Sequence, residues 1–301
     1  MTSIDQLLDE IKHGNFLAIA RTLTIIENEL GQSNEILRVL DSENQTEVIG
    51  ITGPPGAGKS TLVNEIISQL LIQNKKIAII AVDPTSPFNL GSLLGDRVRM
   101  SSHFNHPGVF IRSIATRGSL GGLSAKIIEM IDVLKASVFD YIIVETVGVG
   151  QSEVEIAGLA DKTIVLLVPE SGDEIQHLKS GVMEIADAFV VNKADREGAE
   201  VFTNSLIKML HGRPEVVPVF KTVASQGIGI DALISWISTE RIHNGRKLYL
   251  YVEKALKLIQ NIRLKDINKK DLLQGLERSY LEPDFNLYRF VEDYLDSKQM
   301  K

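Results

Sequence analysis

The chain has no cysteine among its 301 residues, which excludes disulfides and thiolate metal sites. An excess of acids, 39 against 32 basic residues, gives a net charge of −7, so the basic surface of a general nucleic-acid binder is missing. Apolar runs such as IAIIAV (77–82) are too short to span a membrane. The N-terminus, MTSIDQLLDEIKHG, lacks the basic region and apolar stretch of a signal peptide. We therefore expect a cytoplasmic protein.

The remaining composition is that of an ordinary globular protein, with 44% apolar and 24% charged residues. Its length allows one core of about 200 residues plus appendages. We predict a helical extension over residues 1–45, a nucleotide-binding domain over 46–242, and a helical extension over 243–301 that is a candidate dimerisation arm. In the first extension, Asn15 is expected to cap a helix that Gly31 ends, with Phe16, Ile19, Leu23, Ile26 and Leu30 on its buried face.

Short apolar runs alternate with helical segments from residue 48 onward. The predicted strands are 48–52, 76–82, 109–114, 141–145, 163–168, 188–192 and 216–220. The predicted helices include 59–73, 120–136, 173–186 and 229–240. This alternation of apolar strands with helices predicts an α/β fold, with a mostly parallel sheet covered by helices on both faces. Ligands of such sheets bind at the carboxyl ends of the strands.

A glycine-rich stretch, GPPGAGKST (53–61), follows the first of these strands and opens a helix. It matches the P-loop pattern, in which backbone N–H groups and a helix N-terminus surround phosphate oxygens. Lys59 is the candidate ligand of the β- and γ-phosphates, and the Ser60 hydroxyl is a candidate Mg²⁺ ligand. The predicted nucleotide-binding residues of this loop are Gly53, Pro54, Pro55, Gly56, Ala57, Gly58, Lys59, Ser60 and Thr61.

A second motif, NKAD (192–195), lies at the end of a later strand and is typical of guanine recognition. The Asp195 carboxylate can accept hydrogen bonds from guanine N1–H and the 2-amino group, which adenine cannot donate. Asn192 can brace the loop, and the stem of Lys193 can lie along the base plane. After the next strand, Ala224 can offer its backbone N–H to the guanine 6-oxo group.

Acidic residues at strand ends are candidates for metal binding and catalysis. Asp83 ends the second strand, and Asp96 lies in the segment that follows it. Both carry the oxygen ligands that Mg²⁺ prefers. Glu145 ends YIIVE as a Walker-B-like acid that can reach a metal ion or a water. Gly148, in ETVG, is placed to offer its N–H to a γ-phosphate, and the loop VGVGQSE is a candidate switch.

Taken together, these motifs resemble the methylmalonyl-CoA mutase-associated GTPases of the MeaB/ArgK type. The resemblance covers about residues 15–242 and also includes AIARTLTIIEN, VDPTSPF, LGDRVRM, TRGSLGGLS (116–124) and SGDEIQHLKSG. This chain departs from the family at PESGDE (169–174), where the family reads P-G-A-G-D-E, and in its tail after about residue 265.

The resemblance implies a GTPase that gates cofactor loading and protects an adenosylcobalamin-dependent acyl-CoA mutase. It implies that Lys59, Asp96 and Glu145 are catalytic, with Ser60, Asp83, Asp96 and Glu145 around Mg²⁺. An extra switch region over 168–179 and a homodimer formed through C-terminal helices also follow from it.

Two alternative functions remain open at this point. One is a P-loop kinase that phosphorylates a protein or a small molecule, although NKAD favours guanine, which few such kinases use. The other is a metal-insertion GTPase for nickel enzymes, which would need clusters of histidine or cysteine, whereas this chain has 6 scattered histidines and no cysteine.

Overall fold

The computed structural model describes residues 3–41, 46–83, 100–115, 126–148, 152–171, 180–211, 216–239, 246–264, 267–280 and 285–299. Within these ranges the chain forms two compact units, Met1–Lys247 and Leu248–Lys301. The predicted site residue Asp96, the segment 116–124 and most of the predicted extra switch region lie outside the described residues.

In the described part of the first unit, seven strands form one sheet. They are β1 Glu47–Thr52, β2 Ile77–Asp83, β3 Val109–Ala115, β4 Tyr141–Glu145, β5 Lys162–Leu167, β6 Ala188–Asn192 and β7 Val219–Thr222. The order across the sheet is β3-β2-β4-β1-β5-β6-β7, and every neighbouring pair is parallel. All carboxyl ends therefore lie at one edge, as the α/β prediction requires.

Helices flank and extend this sheet. Those of the first unit are α1 Ile4–Lys12, α2 Phe16–Glu27, α3 Ser33–Val39, α4 Lys59–Ile72, α5 Ile127–Lys135, α6 Ser152–Leu159, α7 Ser180–Ile185, α8 Ala199–Leu210 and α9 Ile230–Ile237. The C-terminal helices are α10 Arg246–Arg263, α11 Lys269–Ser279 and α12 Leu287–Gln299. Within the described ranges, no helix combines the length and the apolar character needed to cross a bilayer.

Both faces of the central strand β1 are buried, because successive side chains point to opposite sides. Ile49 and Ile51 belong to a core cluster with residues of α4 and α9. On the other face Gly50 allows close approach of α6, since a Cβ there would lie 2.5 Å from Ile156 Cγ1. A second cluster joins β5 and β6 to α8. The prediction of helices on both faces is confirmed.

Two predicted boundaries are wrong for identifiable reasons. The last strand begins at Val219 rather than 216, because Pro218 has no N–H for the ladder and Val216 is 98% exposed. Asn15 does cap α2 through bonds to Leu17 N and Ala18 N, but the helix ends at Glu27, well before Gly31. The predicted core position Leu30 is consequently half exposed.

The N-terminal helices pack on the edge of the sheet through an aromatic cluster. Phe16 of α2 makes an edge-on contact with Phe110 of β3 at a centroid distance of 5.5 Å and a stacked contact with Phe139 at 6.0 Å. The Ser137 hydroxyl donates to the Ile11 carbonyl oxygen at 2.9 Å. The N-terminal extension is thus part of the first compact unit.

A fully buried lysine joins the first strand to the last helix of this unit. Lys162, at the start of β5, donates to the carbonyl oxygens of Ile237 at 2.6 Å and Thr239 at 2.8 Å. Its Nζ lies 2.9 Å from the Glu47 carboxylate and 5.5 Å from the ring centroid of Trp236. The ammonium thereby satisfies carbonyl groups left open at the end of α9.

Replacing Lys162 with methionine is expected to lower the free energy of unfolding by about 3–5 kcal/mol, because Glu47 would keep a buried charge without its cation. Chemical denaturation followed by circular dichroism measures this change. Lys221→Met, which breaks an exposed ion pair with Glu200, is the matched control and should cost at most about 1 kcal/mol. Equal small losses in both variants would contradict the assignment.

The described residues of the second unit form α10 from Leu248 onward, α11 and α12. Asn268 caps α11 by accepting a hydrogen bond from Lys270 N at 2.8 Å. Along α10, several large apolar side chains are about half exposed or more, among them Leu248, Val252, Leu256 and Ile259. Their spacing of four, four and three residues matches the apolar face expected from the sequence.

Candidate nucleotide site

The P-loop connects the central strand β1 to α4 at the carboxyl edge of the sheet. Gly53 has φ +143°, and a Cβ there would overlap the carbonyl oxygen of Leu166 in β5. Gly58 has φ +95°, and a Cβ there would lie 2.5 Å from Asn192 Nδ2. Both positions need glycine, so the loop closes tightly against β5 and β6. The N-terminus of α4 then faces the edge where ligands of parallel sheets bind.

Lys59 lies at the start of α4 and is almost entirely buried. Its ammonium donates to the carbonyl oxygens of Gly53 at 2.8 Å and Pro54 at 3.1 Å. The positive charge of Lys59 therefore lies inside the P-loop, surrounded by the backbone of that loop. Thr61, two residues further along α4, is partly exposed.

Ser60 and Glu145 meet directly below the loop. The Ser60 hydroxyl donates to Glu145 Oε1 at 2.7 Å, and the two residues are 3% and 4% exposed. Glu145 ends β4 and pairs in register with Ile51 of β1 and Ala81 of β2. Asp83 ends β2 two residues beyond Ala81, at the same edge of the sheet. The Ser60 hydroxyl and the Glu145 carboxylate offer the oxygen groups that Mg²⁺ prefers, and Mg²⁺ binding at this place stays a prediction.

Gly148 brings the loop after β4 onto the P-loop. Its φ is +83°, and a Cβ there would overlap the Gly53 carbonyl oxygen and Lys59 Nζ. The backbone of this loop therefore lies against the P-loop lysine, which is where a γ-phosphate sensor is expected. Gln151, in the same glycine-rich segment, lies outside the described residues.

Asn192 connects three loops at the end of β6. Its Nδ2 donates to the Ala57 carbonyl oxygen at 2.9 Å, within the P-loop. Its Oδ1 accepts from the Thr222 hydroxyl and from the Ala224 N–H, both at 3.1 Å. The side chain is 3% exposed and acts as the brace anticipated from the motif. The Ala224 N–H is engaged here, so its donation to a guanine carbonyl oxygen stays a prediction.

The other two residues of the base motif differ in their surroundings. Lys193, at φ +57°, donates from Nζ to the Gly56 carbonyl oxygen at 2.8 Å, so its stem crosses from β6 to the P-loop. Asp195 is exposed on the same loop. Its neighbour Arg196 forms an ion pair with Glu170, at the position where the chain departs from the family pattern.

Three threonines at strand ends were missed by sequence reasoning. The Thr146 hydroxyl donates to Thr52 Oγ1 at 2.8 Å and ties the end of β1 to the residue after β4. Thr222 ends β7 and supports Asn192. The available signal was a polar residue directly after an apolar strand, as in VIGIT and YIIVET. Such residues cross-link the loops that carry the site.

A family description matches most of this chain. The model of the MeaB family, described as methylmalonyl Co-A mutase-associated GTPase MeaB, matches residues 19–269. The chain belongs to the MeaB family of GTPases. The membership that the motifs predicted is thereby confirmed, and the roles of the individual site residues stay predictions.

Relatives of this MeaB-family GTPase agree with the assignment. A protein of Pyrococcus horikoshii with a provisional GTPase name is 40% identical over 309 residues, covering 100% of this chain and 95% of the relative. GTPase ArgK of Escherichia coli is 37% identical over 198 residues, covering 64% and 60%. A fused isobutyryl-CoA mutase of Geobacillus kaustophilus is 37% identical over 244 residues, covering 75% of this chain and 22% of that protein.

The fold of this MeaB-family GTPase is also seen in a solved structure. The crystal structure of a LAO/AO transport system kinase matches with a TM-score of 0.66 and 23% identity, and covers 97% of both chains. At this level of identity the likeness bears on the fold alone.

Proposed function

We propose that this GTPase hydrolyses GTP with Mg²⁺ as its cofactor and acts on an adenosylcobalamin-dependent acyl-CoA mutase. The change from the GTP-bound to the GDP-bound state gates cofactor loading onto the mutase and protects it. The observation that carries the proposal is the contact of the Gly148 loop with Lys59 and Gly53. A loop in this place is displaced or held according to whether a γ-phosphate is bound, and such a loop can report the nucleotide state to a partner.

The chemistry assigned to the site residues follows their positions. Lys59 and the P-loop N–H groups neutralise the charge that develops on the transferred phosphoryl group. Ser60, Glu145, Asp83 and Asp96 would hold Mg²⁺, which would offset the negative charge of the phosphate groups. Glu145 already accepts a hydrogen bond from the Ser60 hydroxyl, so it orients this candidate ligand. Asn192 and Lys193 fix the base loop on the P-loop, and Asp195 reads guanine.

Support for a mutase as the partner comes from two findings. The family description names association with methylmalonyl-CoA mutase. A Geobacillus chain named as a fused isobutyryl-CoA mutase contains a region similar to 75% of this chain. Fusion of two modules in one chain is a common arrangement for modules that act together. We extend this association to the present chain as a separate protein that acts on a separate mutase.

The homodimer stays a prediction, and the second unit offers the surface for it. The exposed apolar positions of α10, Leu248, Val252, Leu256 and Ile259, lie within the predicted arm. Burial of such a face between two copies would remove apolar area from water. Sedimentation velocity of the full chain distinguishes a dimer from a monomer.

The mutase proposal predicts nucleotide-dependent loading of the cofactor. With the host's cobalamin-dependent mutase, we expect the rate of adenosylcobalamin transfer to the mutase to differ by about fivefold or more between GTP and GDP. The change in the cobalamin absorption spectrum measures this rate. Lys59→Ala should abolish the difference, whereas the exposed variant Lys208→Ala should keep it. No binding to the mutase, and no rate change in either direction, would refute the proposal.

A further inference from the structure

The chain that leaves strand β4 contacts the P-loop at two points that the structure describes. Glu145, the last residue of β4, accepts a hydrogen bond from the Ser60 hydroxyl at 2.7 Å. Gly148, three residues later, lies so close to the Gly53 carbonyl oxygen that a Cβ on it would overlap that oxygen. Thr146 stands between these two contacts. The attachment of Thr146 therefore governs how the Gly148 loop starts.

Strand register brings Thr146 opposite Thr52, the residue directly before the P-loop. Ile51 of β1 pairs with Glu145 of β4, so the next residue of each strand stands one position further along the same parallel pair. The Thr146 N–H donates to the Ile51 carbonyl oxygen at 3.0 Å, and the Thr146 hydroxyl donates to Thr52 Oγ1 at 2.8 Å. Thr52 and Thr146 are 0% and 1% exposed, so water does not compete for this bond. Both the main chain and the side chain of Thr146 are thus held by β1.

The attachment of Thr146 limits where Gly148 can lie. Only Val147 separates the two residues, and two residues of extended chain span at most about 7 Å. Gly148 has φ +83°, a conformation that glycine adopts without strain, so the chain can turn at this residue. Thr146 is therefore the fixed end of a short arm. The Gly148 N–H, the candidate donor to the γ-phosphate, is at the other end of that arm.

A threonine on the neighbouring strand shows the same side chain without a hydroxyl partner. Thr163 of β5 pairs in register with Gly50, two residues before Thr52, and is also fully buried. Because side chains alternate along a strand, Thr163 and Thr52 lie on the same face of the sheet. The Thr163 hydroxyl makes no hydrogen bond to any residue that the structure describes. This sheet thus accommodates a buried threonine without pairing, and the paired hydroxyls lie at the strand ends that carry the site.

We propose that Thr52 and Thr146 are positioning residues for the γ-phosphate sensor. Their hydrogen bond holds the start of the Gly148 loop on β1, and so keeps the Gly148 N–H beside the P-loop when GTP is bound. The role does not require either hydroxyl to touch the nucleotide. GDP has no γ-phosphate, so it makes none of the contacts that the Gly148 loop adds. Loss of the bond should therefore lower GTP hydrolysis and GTP affinity and leave GDP affinity nearly intact.

Thr146→Val tests this role, because valine nearly keeps the shape of threonine and lacks the hydroxyl. We expect the single-turnover rate of GTP hydrolysis to fall about fivefold, the effect of losing about one net hydrogen bond. The affinity for the slowly hydrolysed analogue GTPγS should fall by a similar factor, with the dissociation constant of GDP within about twofold of wild type. Competition with labelled GDP measures both affinities. Thr163→Val is the matched control and should keep the wild-type rate and both affinities.

Two further variants separate positioning from stability. Thr146→Ser keeps the hydroxyl and loses a buried methyl group, so its melting temperature should fall while hydrolysis stays within about twofold of wild type. Thr52→Val/Thr146→Val removes both hydroxyls and leaves neither without its partner, so it should melt close to wild type and still hydrolyse GTP slowly. A purely structural role predicts that hydrolysis follows the melting temperature in both variants. That result, or hydrolysis by Thr146→Val within about twofold of wild type, would overturn the proposal.

The proposal rests on the GTP hydrolysis and γ-phosphate sensing proposed above, and the two fail differently. Wild-type hydrolysis by Lys59→Ala would refute the site itself, and with it the positioning role. An inactive Lys59→Ala together with a fully active Thr146→Val would refute the positioning role alone.

Discussion

Lys59→Ala is expected to slow GTP hydrolysis by about 100-fold or more. Lys59 is the ammonium that lies inside the P-loop, bonded to the Gly53 and Pro54 carbonyl oxygens. When the nucleotide binds, negatively charged phosphate oxygens replace these two neutral carbonyl oxygens as acceptors. Hydrogen bonds from the ammonium to charged acceptors are stronger than those to neutral ones. The contact strengthens further as charge develops on the leaving phosphate oxygen.

Single-turnover hydrolysis with excess enzyme measures this effect apart from product release. Lys208→Ala removes an exposed lysine from α8 and should hydrolyse GTP at the wild-type rate. Circular dichroism shows whether each variant is folded. Hydrolysis by folded Lys59→Ala at the wild-type rate would refute the P-loop assignment.

Asp195→Asn is expected to lower the preference for GTP over ATP by about 10²- to 10⁴-fold. Two hydrogen bonds from guanine to a carboxylate are replaced, and bonds to a charged group contribute about 1.5–3 kcal/mol each. The asparagine amide also presents a donor to the guanine 2-amino group, which is itself a donor. Xanthine carries an oxygen at this position, so the same variant should gain affinity for XTP relative to GTP.

Competition binding with GTP, ATP and XTP measures these ratios in one experiment. Asp231→Asn, an exposed acid on α9, is the matched control and should leave all three affinities unchanged. If GTP and ATP compete just as unequally in Asp195→Asn as in wild type, Asp195 is not the guanine reader.

The central part of this fold could be predicted from the sequence because several strong local patterns there predict the same structure. Uninterrupted apolar strands, glycine-rich turns and helix patterns all pointed to a parallel sheet with its ligand edge at the P-loop. Glu145 could be placed at that edge since the strand YIIVE ends with it. Its hydrogen bond to Ser60 could not be predicted, because the two residues are 85 positions apart and the sequence between them carries no information about their distance.

The contacts that link loops were the least predictable. Thr52, Thr146 and Thr222 are common strand residues, and only the register of neighbouring strands brings their hydroxyl groups to Asn192 or to one another. The end of α2 was misplaced for a related reason. Gly31 is the better local stop signal, yet the ion pair of Glu29 with Lys126 accompanies an earlier ending. Tertiary contacts of this kind override local preference.

The structure shows what Glu170 contacts, at the position where the chain departs from the family pattern. Glycine stands at this position in the family pattern, whereas here the carboxylate pairs with Arg196, next to the guanine motif. The start of the predicted extra switch region is thus tied to the base loop. Both side chains are about half exposed, so the pair contributes little to stability.

Hydrolysis of γ-labelled GTP by the purified chain tests whether the protein is a guanine-selective GTPase. We expect the label to appear as free phosphate, excess ATP to compete poorly, and Lys59→Ala to release almost no labelled phosphate. Transfer of the label to a protein or small-molecule acceptor would contradict this expectation, as would equal use of ATP, since either result would indicate a kinase or a nonselective nucleotidase instead of a MeaB-family GTPase.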